Sequence, residues 1–224
     1  MPLSPNTAES AVVQIDIVSD VMCPWCIVGF RQLEQALGLL DVGAYIRWHP
    51  FELNPDMPAE GQNLREHIKE KYGSTAEQSE QSRAHLKALG QELGISFRFD
   101  AQSKIVNTFA AHQLLGWAQD KDLQHPLKLA LFDAHFSQAK DVSDIEVLVA
   151  TAKGVGLDAQ EAREVLNSGS HAEETRRREQ YWTSKGVSGV PSMIFAGKYL
   201  LTGAQGAQTY AQMLQKVISE KDAA

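Results

Sequence analysis

The chain has 224 residues, of which 43% are hydrophobic and 22% charged, and its net charge is −7. That length can bury a large core, in one domain or in two closely packed ones. The composition is that of a soluble globular protein. It excludes the basic footprint of a nucleic-acid binder, and no apolar run is long enough for a membrane span.

Residues 1–10 are polar, include Pro2 and Pro5, and contain no lysine or arginine. Lacking a basic start and an apolar stretch, they do not read as a secretory signal. They are expected to be a flexible N-terminus, and the protein is expected to work in the cytoplasm. The run Val12-Val13-Gln14-Ile15-Asp16-Ile17-Val18 predicts the first strand. Cys23-Pro24-Trp25-Cys26 follows, holding the only two cysteines of the chain. A helix comes next, with Ile27, Phe30, Leu33, Leu37 and Leu40 on one face.

A C-x-x-C where a strand hands over to a helix reads as a thiol–disulfide redox centre. Free N–H groups and the positive end of the helix dipole favour a thiolate on the first cysteine. Cys23 is therefore expected to be the accessible nucleophile with a depressed pKa, and Cys26 the shielded resolving thiol. Pro24 suits the first helical turn, where its missing N–H has no partner to lose. A structural zinc site needs four ligands. There is no second cysteine pair and no histidine pair at i, i+4, so no metal is expected. Two core cysteines packed as small hydrophobes remain the plain alternative.

Ala44-Tyr45-Ile46-Arg47-Trp48 predicts a second strand, and prolines 50, 55 and 58 then break regular structure. The opening is β-α-β, with its two strands parallel. From 61 to 167 the pattern is helical, with helices near 61–72, 75–93, 107–119, 124–138, 144–155 and 158–167. Asn107 and Asp144 suit N-cap or first-turn positions, and 94–99 reads as an extended loop. Trp117, Phe132 and Phe136 read as core of this helical block. A further helix covers 171–185. Its Arg176-Arg177-Arg178 cluster, flanked by Glu173, Glu174 and Glu179, reads as a solvated face with intrahelical ion pairs. Strands at 192–195 and 199–201 form a hairpin with Gly197 in its turn. A last helix near 205–219 turns Tyr210, Met213, Leu214 and Val217 inward.

This order, β-α-β, a helical block, then β-β-α, is that of a thioredoxin fold with an inserted all-helical domain, in the α/β class. The chain resembles the DsbA-like family of thiol–disulfide oxidoreductases, and within it the FrnE-type subgroup. The resemblance rests on Ser19-Asp20-Val21-Met22-Cys23-Pro24-Trp25-Cys26, Pro50-Phe51-Glu52-Leu53-Asn54-Pro55 and Asn107-Thr108 with Ala111-His112. It continues through Gly186-Val187-Ser188-Gly189-Val190-Pro191 and Gly203-Ala204-Gln205. It implies a discontinuous thioredoxin-fold domain over 11–58 and 170–220, with a helical insertion domain over 59–169. It also implies that Cys23 and Cys26 are catalytic, and that Val190-Pro191 is a cis-proline loop facing them. Pro24, Trp25, Val190 and Pro191 would then bind substrate. An X–Pro bond tolerates cis at only about 0.5–1 kcal/mol. The free backbone groups of such a loop can pair with an extended peptide. His49, Asn54, Asn107 and His112 are further candidates for the cleft, with strand-end, loop and helix-packing roles as their plain alternatives. Trp25 stands where the strongly oxidising relatives have histidine, which implies a less extreme thiolate. The second cysteine pair of some FrnE-type members is missing.

The partners implied are thiol- or disulfide-containing proteins or small molecules. No cofactor is expected beyond glutathione as a thiol co-substrate. Two other functions compete. A glutathione-dependent isomerase or transferase of the 2-hydroxychromene-2-carboxylate isomerase type would use the sulfur of glutathione, usually with serine at the first motif position. A chaperone or binding module would not need Cys23. Fold analogy alone does not separate these.

Overall fold

A computed structural model describes residues 2–3 and 12–222. Strand β1 is Pro2–Leu3 and β2 is Val12–Ser19, followed by α1, Pro24–Leu40, and β3, Gly43–Pro50. β2 and β3 run parallel, with Val13 opposite Ala44 and Ile17 opposite Trp48. This is the expected β-α-β unit. Residues 1 and 4–10 of the expected flexible N-terminus lie outside the described residues, and Pro2–Leu3 pairs antiparallel with β3.

The chain closes with β6, Ser192–Phe195, β7, Tyr199–Thr202, and α9, Ala207–Asp222. The three-residue connection 196–198 turns on Ala196 and Gly197, both with positive φ, +50° and +67°, and the Lys198 N–H donates to the Phe195 carbonyl at 3.0 Å. β6 pairs antiparallel with β2, so the main sheet has the order β1-β3-β2-β6-β7. β2 is its central strand, and Ile15, Ile17 and Val18 are fully buried there. A strand covered on both faces needs an apolar run rather than strict alternation. α1 packs against α9, which also meets β2 and β6, while α5 and α8 meet β3.

Between the two halves lie α2, Leu64–Tyr72, α3, Ala76–Glu92, α4, Phe109–Gln119, and α5, Gln124–Phe132. A π-helical turn over Asp133–Ser137 extends α5, and α6, Ile145–Gly154, α7, Ala159–Ser168, and α8, Ala172–Ser184, follow. The helix expected from 61 begins only at Leu64. Gln62–Asn63 instead forms β4, paired with β5, Lys104–Ile105, in a separate two-stranded sheet. Asn63 caps α2 by accepting from the N–H groups of Arg65 and Glu66. Asp144 caps α6 as expected, whereas Thr108, not Asn107, is the N-cap of α4.

One apolar cluster joins the sheet and α1, through Ile15, Phe30, Leu33 and Trp48, to Leu86, Phe97, Phe132 and Phe136 of the helical block. Each such side chain contributes about 1.5–3 kcal/mol on full burial. α3 approaches the 95–97 segment so closely that a Cβ on Gly90 would lie 2.6 Å from the Phe97 ring. The Arg176–178 cluster forms the expected intrahelical pairs with Glu174 and Glu179, and Arg176 also reaches the buried Glu52.

Candidate active site

Cys23 is the N-cap of α1 and Pro24 its first residue. The Cys26 N–H donates to the Cys23 carbonyl at 3.0 Å, which folds the motif into one turn. The two cysteines are free and lie 3.5 Å apart. Val190–Pro191 is cis, and the Cys23 thiol faces the Val190 carbonyl at 3.8 Å. Gly29 makes room for this loop on α1, since a Cβ there would stand 3.1 Å from Pro191 Cγ.

Both sulfurs are shielded: Cys23 is 3% exposed and Cys26 0%. The hydrogen bond to Cys26 pushes the Cys23 thiol up, and so do burial and the charges of Cys26 and Asp20. For Cys26, burial works against ionisation. The hydrogen bond from Cys23, the charge of Lys128 and the Ser19 hydroxyl outweigh it and hold Cys26 below the ordinary thiol range. The expected asymmetry is thus corrected in sign. The helix start does not reverse this, because the neighbouring sulfur lies only 3.5 Å away in a dry interior.

A cavity of about 590 Å³ opens over Cys23, Pro24 and Trp25. Val190 and Leu53 border it, and Tyr72, Leu86 and Phe99 of the helical block enclose it. Arg83, Arg98 and Lys104 bring positive charge to the same walls. Asn54 lines the cavity, where its side-chain carbonyl accepts from the Lys71 ammonium at 2.6 Å.

Other candidate residues lie elsewhere. Pro191 sits behind Val190, against α1. His49 pairs with Asp16 at 2.7 Å and packs on Trp182, away from the cavity. Asn107 donates to the carbonyls of Met57 and Pro55 and accepts from the Phe109 N–H, so it ties loop to helix. His112 is 3% exposed and sits beneath the motif, its Nε2 3.5 Å from Asp20. None of His49, Asn107 and His112 reaches the cavity, because each is spent on a buried or interloop contact.

Beneath the cysteines lies a charged layer that sequence reasoning missed. Asp20 is fully buried and accepts from the N–H groups of Leu53, at 2.8 Å, and Met22, at 3.4 Å. Burial opposes its ionisation, but His112, the Leu53 N–H and Lys128 outweigh it and hold its carboxyl below the usual range. Lys128, from α5, is 1% exposed. The signal for it was available: it shares one helical face with Leu127, Leu131 and Phe132, and a cation in an apolar stripe calls for a buried anion. Among the described residues no cluster of histidine, cysteine and acidic side chains is arranged to hold a metal ion.

The family model described as a DSBA-like thioredoxin domain matches residues 14–215. SCO1869 of Streptomyces coelicolor, a probable DsbA oxidoreductase, is 31% identical with a TM-score of 0.87, over 93% of this chain and 91% of that one. A 2-hydroxychromene-2-carboxylate isomerase is 17% identical with a TM-score of 0.69, over 94% and 99% of the two chains. The cytosolic disulfide reductase DsbM of Pseudomonas aeruginosa, solved with glutathione, is 15% identical with a TM-score of 0.62, over 92% and 99%. These last two likenesses establish shared fold alone. With its cysteine pair at the head of α1 facing a cis-proline loop, the chain belongs to the DSBA-like thioredoxin domain family.

Proposed function

We propose that the protein is a thiol–disulfide exchange enzyme of the FrnE type, with Cys23 as nucleophile and Cys26 as resolving thiol. The observation that carries this reading is the pair itself: two free cysteines 3.5 Å apart, with Cys23 lining the cavity and Cys26 buried behind it. Cys23 attacks a substrate disulfide while its proton passes to the Cys26 thiolate. A mixed disulfide forms and one substrate thiolate leaves. Cys26 then gives its proton to the departed thiolate, attacks the Cys23 sulfur, closes the intramolecular disulfide and expels the second thiolate.

The cavity falls in the range of small-molecule sites, about 300–1,000 Å³, and its arginines and lysine suit a carboxylate-bearing thiol compound. We therefore assign low-molecular-weight disulfides, and mixed disulfides presented by proteins, as substrates. Glutathione is the thiol co-substrate that returns the pair to its dithiol, and Pro24, Trp25 and Val190 are the surface against which substrate lies. We place the enzyme in the cytoplasm, where such a pair is held reduced between turnovers. Glutathione-dependent isomerisation is the second reading, favoured by the shared fold of the isomerase. It leaves the second cysteine without a role.

The test is turnover of a glutathione mixed disulfide in a glutathione redox buffer. Wild-type protein should reduce it, and Cys23→Ser should not. An inactive wild type together with a Cys23→Ser protein that keeps a glutathione-dependent isomerase activity would overturn the reading.

A further inference from the structure

We infer that α2 is a lid over the cysteine cavity, latched at its far end by Lys71, and that this latch sets the size of disulfide that reaches Cys23. The inference rests on the exchange reading given above.

α2 is fastened firmly at one end. Just ahead of it, Gln62 and Asn63 pair with Ile105 and Lys104 in the two-stranded sheet. The Leu64 N–H donates to the Ser103 carbonyl and the Asn63 side chain to the Ala101 carbonyl, both at 2.9 Å. The Gln62 side chain also bonds to those of His67 and Glu70, which ties the first turns of the helix to β4. The last turn is held differently. It ends at Gly73, whose φ is +64° and where an added Cβ would meet nothing within 4 Å. Among the described residues, the hydrogen bonds that carry this last turn to another part of the chain both come from Lys71. Its ammonium donates to the Leu53 carbonyl at 2.7 Å and to the side-chain carbonyl of Asn54 at 2.6 Å.

The packing of α2 is that of a cover. None of its residues is buried. Leu64, Ile68 and Tyr72 are spaced i, i+4, i+8 and so share one face. All three line the cavity that Cys23 lines, and Tyr72 is 63% exposed. Arg65, Glu66 and Lys69 are exposed to solvent. An amphipathic helix ordinarily seats its apolar stripe on the core; here the stripe borders the cavity instead. Few buried contacts and solvent-exposed bonds define the low-stability end of a structure, from which lids are drawn.

The latch closes on a fixed post. The Leu53 N–H donates to the buried Asp20 at 2.8 Å, and Leu53 and Asn54 border the cavity with Cys23. Lys71 therefore joins the helix to the segment that stands beside the motif. Cys23 is 3% exposed. With the latch closed, a disulfide reaches its sulfur only by fitting into the cavity of about 590 Å³. A small molecule fits such a volume. A disulfide carried on a folded protein has to displace the lid first. A small substrate also covers Leu64, Ile68 and Tyr72, a contact that is lost when the lid swings away.

Lys71 is exposed, so Lys71→Met removes both hydrogen bonds, keeps the side-chain length and leaves the core untouched. The reduced full chain is alkylated at Cys23 with iodoacetamide and with a maleimide carried on a polyethylene glycol chain. The bulky-to-small rate ratio should rise about fivefold in Lys71→Met. It should return to the wild-type value in Lys71→Arg and fall in Asn54→Asp, whose carboxylate holds the ammonium more tightly. In turnover, Lys71→Met should raise KM for glutathione disulfide several-fold with kcat kept. For a glutathione mixed disulfide on a folded protein it should raise kcat/KM. Equal changes for the two substrates would overturn the inference. So would an unchanged alkylation ratio in a folded Lys71→Met protein, even if the enzyme turns over normally. A raised ratio in a protein that exchanges no disulfide would support the lid and sink the exchange reading alone.

Discussion

Toward the cavity the cysteine pair meets Trp25, Leu53, Val190 and, beyond them, Phe99. Toward the interior it meets Asp20, His112 and Lys128, all buried. The open side combines apolar walls with the cations Arg83, Arg98 and Lys104, whereas the closed side holds its charges buried, the reverse of the usual protein core. The contrast separates two tasks. An apolar mouth offers contact area to many thiol compounds without asking for a particular charge at the sulfur. A sealed ionic layer acts at low dielectric, where its effect on the sulfurs is largest. In the exchange reading proposed above, substrate choice would fall to the outer face and proton placement to the inner one.

The sharpest way to break this division is at the sulfurs themselves. Cys23→Ser should reduce exchange to the uncatalysed background, because the hydroxyl is a far poorer nucleophile near neutral pH. Cys26→Ala should instead leave the first attack and accumulate mixed disulfides, visible by mass spectrometry of the intact protein. Equal loss in both variants, with no trapped adduct, would mean that the two sulfurs do not divide the work.

The inner layer gives the next largest effect. Asp20→Asn leaves Lys128 and His112 without their carboxylate and should cost about 3 kcal/mol, the lower end for breaking a buried pair. The sign with pH follows from the lowered Asp20 pKa. Its contribution is complete above the unfolded carboxyl value of about 3.9 and is lost as pH falls through the lower folded value. Denaturant midpoints of variant and wild type should therefore differ at pH 7 and converge in acid. A gap that stays constant with pH would point to packing, not charge.

The outer face gives the smallest effect on stability. Trp25 is 40% exposed, so Trp25→Ala should change stability by no more than about 0.5 kcal/mol. It should raise KM for bulky disulfides several-fold while leaving kcat unchanged. A loss well above 2 kcal/mol would show that this wall of the cavity belongs to the core.

The fold was legible where period and punctuation agree. The apolar run before Cys23, the i, i+3, i+4 pattern after it, and Gly197 in the last hairpin each fix an element by local rules. β4 and β5 were not legible, because two-residue strands such as Gln62–Asn63 show no alternation and pair with a segment far along the chain. At the site, Cys23-Pro24-Trp25-Cys26 marked the candidate pair, and the cis Val190–Pro191 bond followed once the fold was in hand. The direction of titration did not, since it depends on how near the second sulfur and Lys128 come. His112 was named for the cleft on the family resemblance, but its helix turns it toward Asp20. Contacts of that kind are decided by packing between distant elements, to which a single sequence gives no direct access.

The sheet order carries one more consequence, for how the chain is made. Cys23 and the Val190 carbonyl that faces it are 167 positions apart, and β2 cannot complete its pairing until β6 exists. At about 5–20 residues per second, a ribosome needs roughly ten to thirty seconds to bridge that interval. Throughout it the two cysteines belong to an unfinished chain, with ordinary thiols near pKa 8.5. Among the first features synthesised, the cysteine pair is among the last to gain its folded surroundings, so a growing chain carries two ordinary thiols until the sheet closes around them.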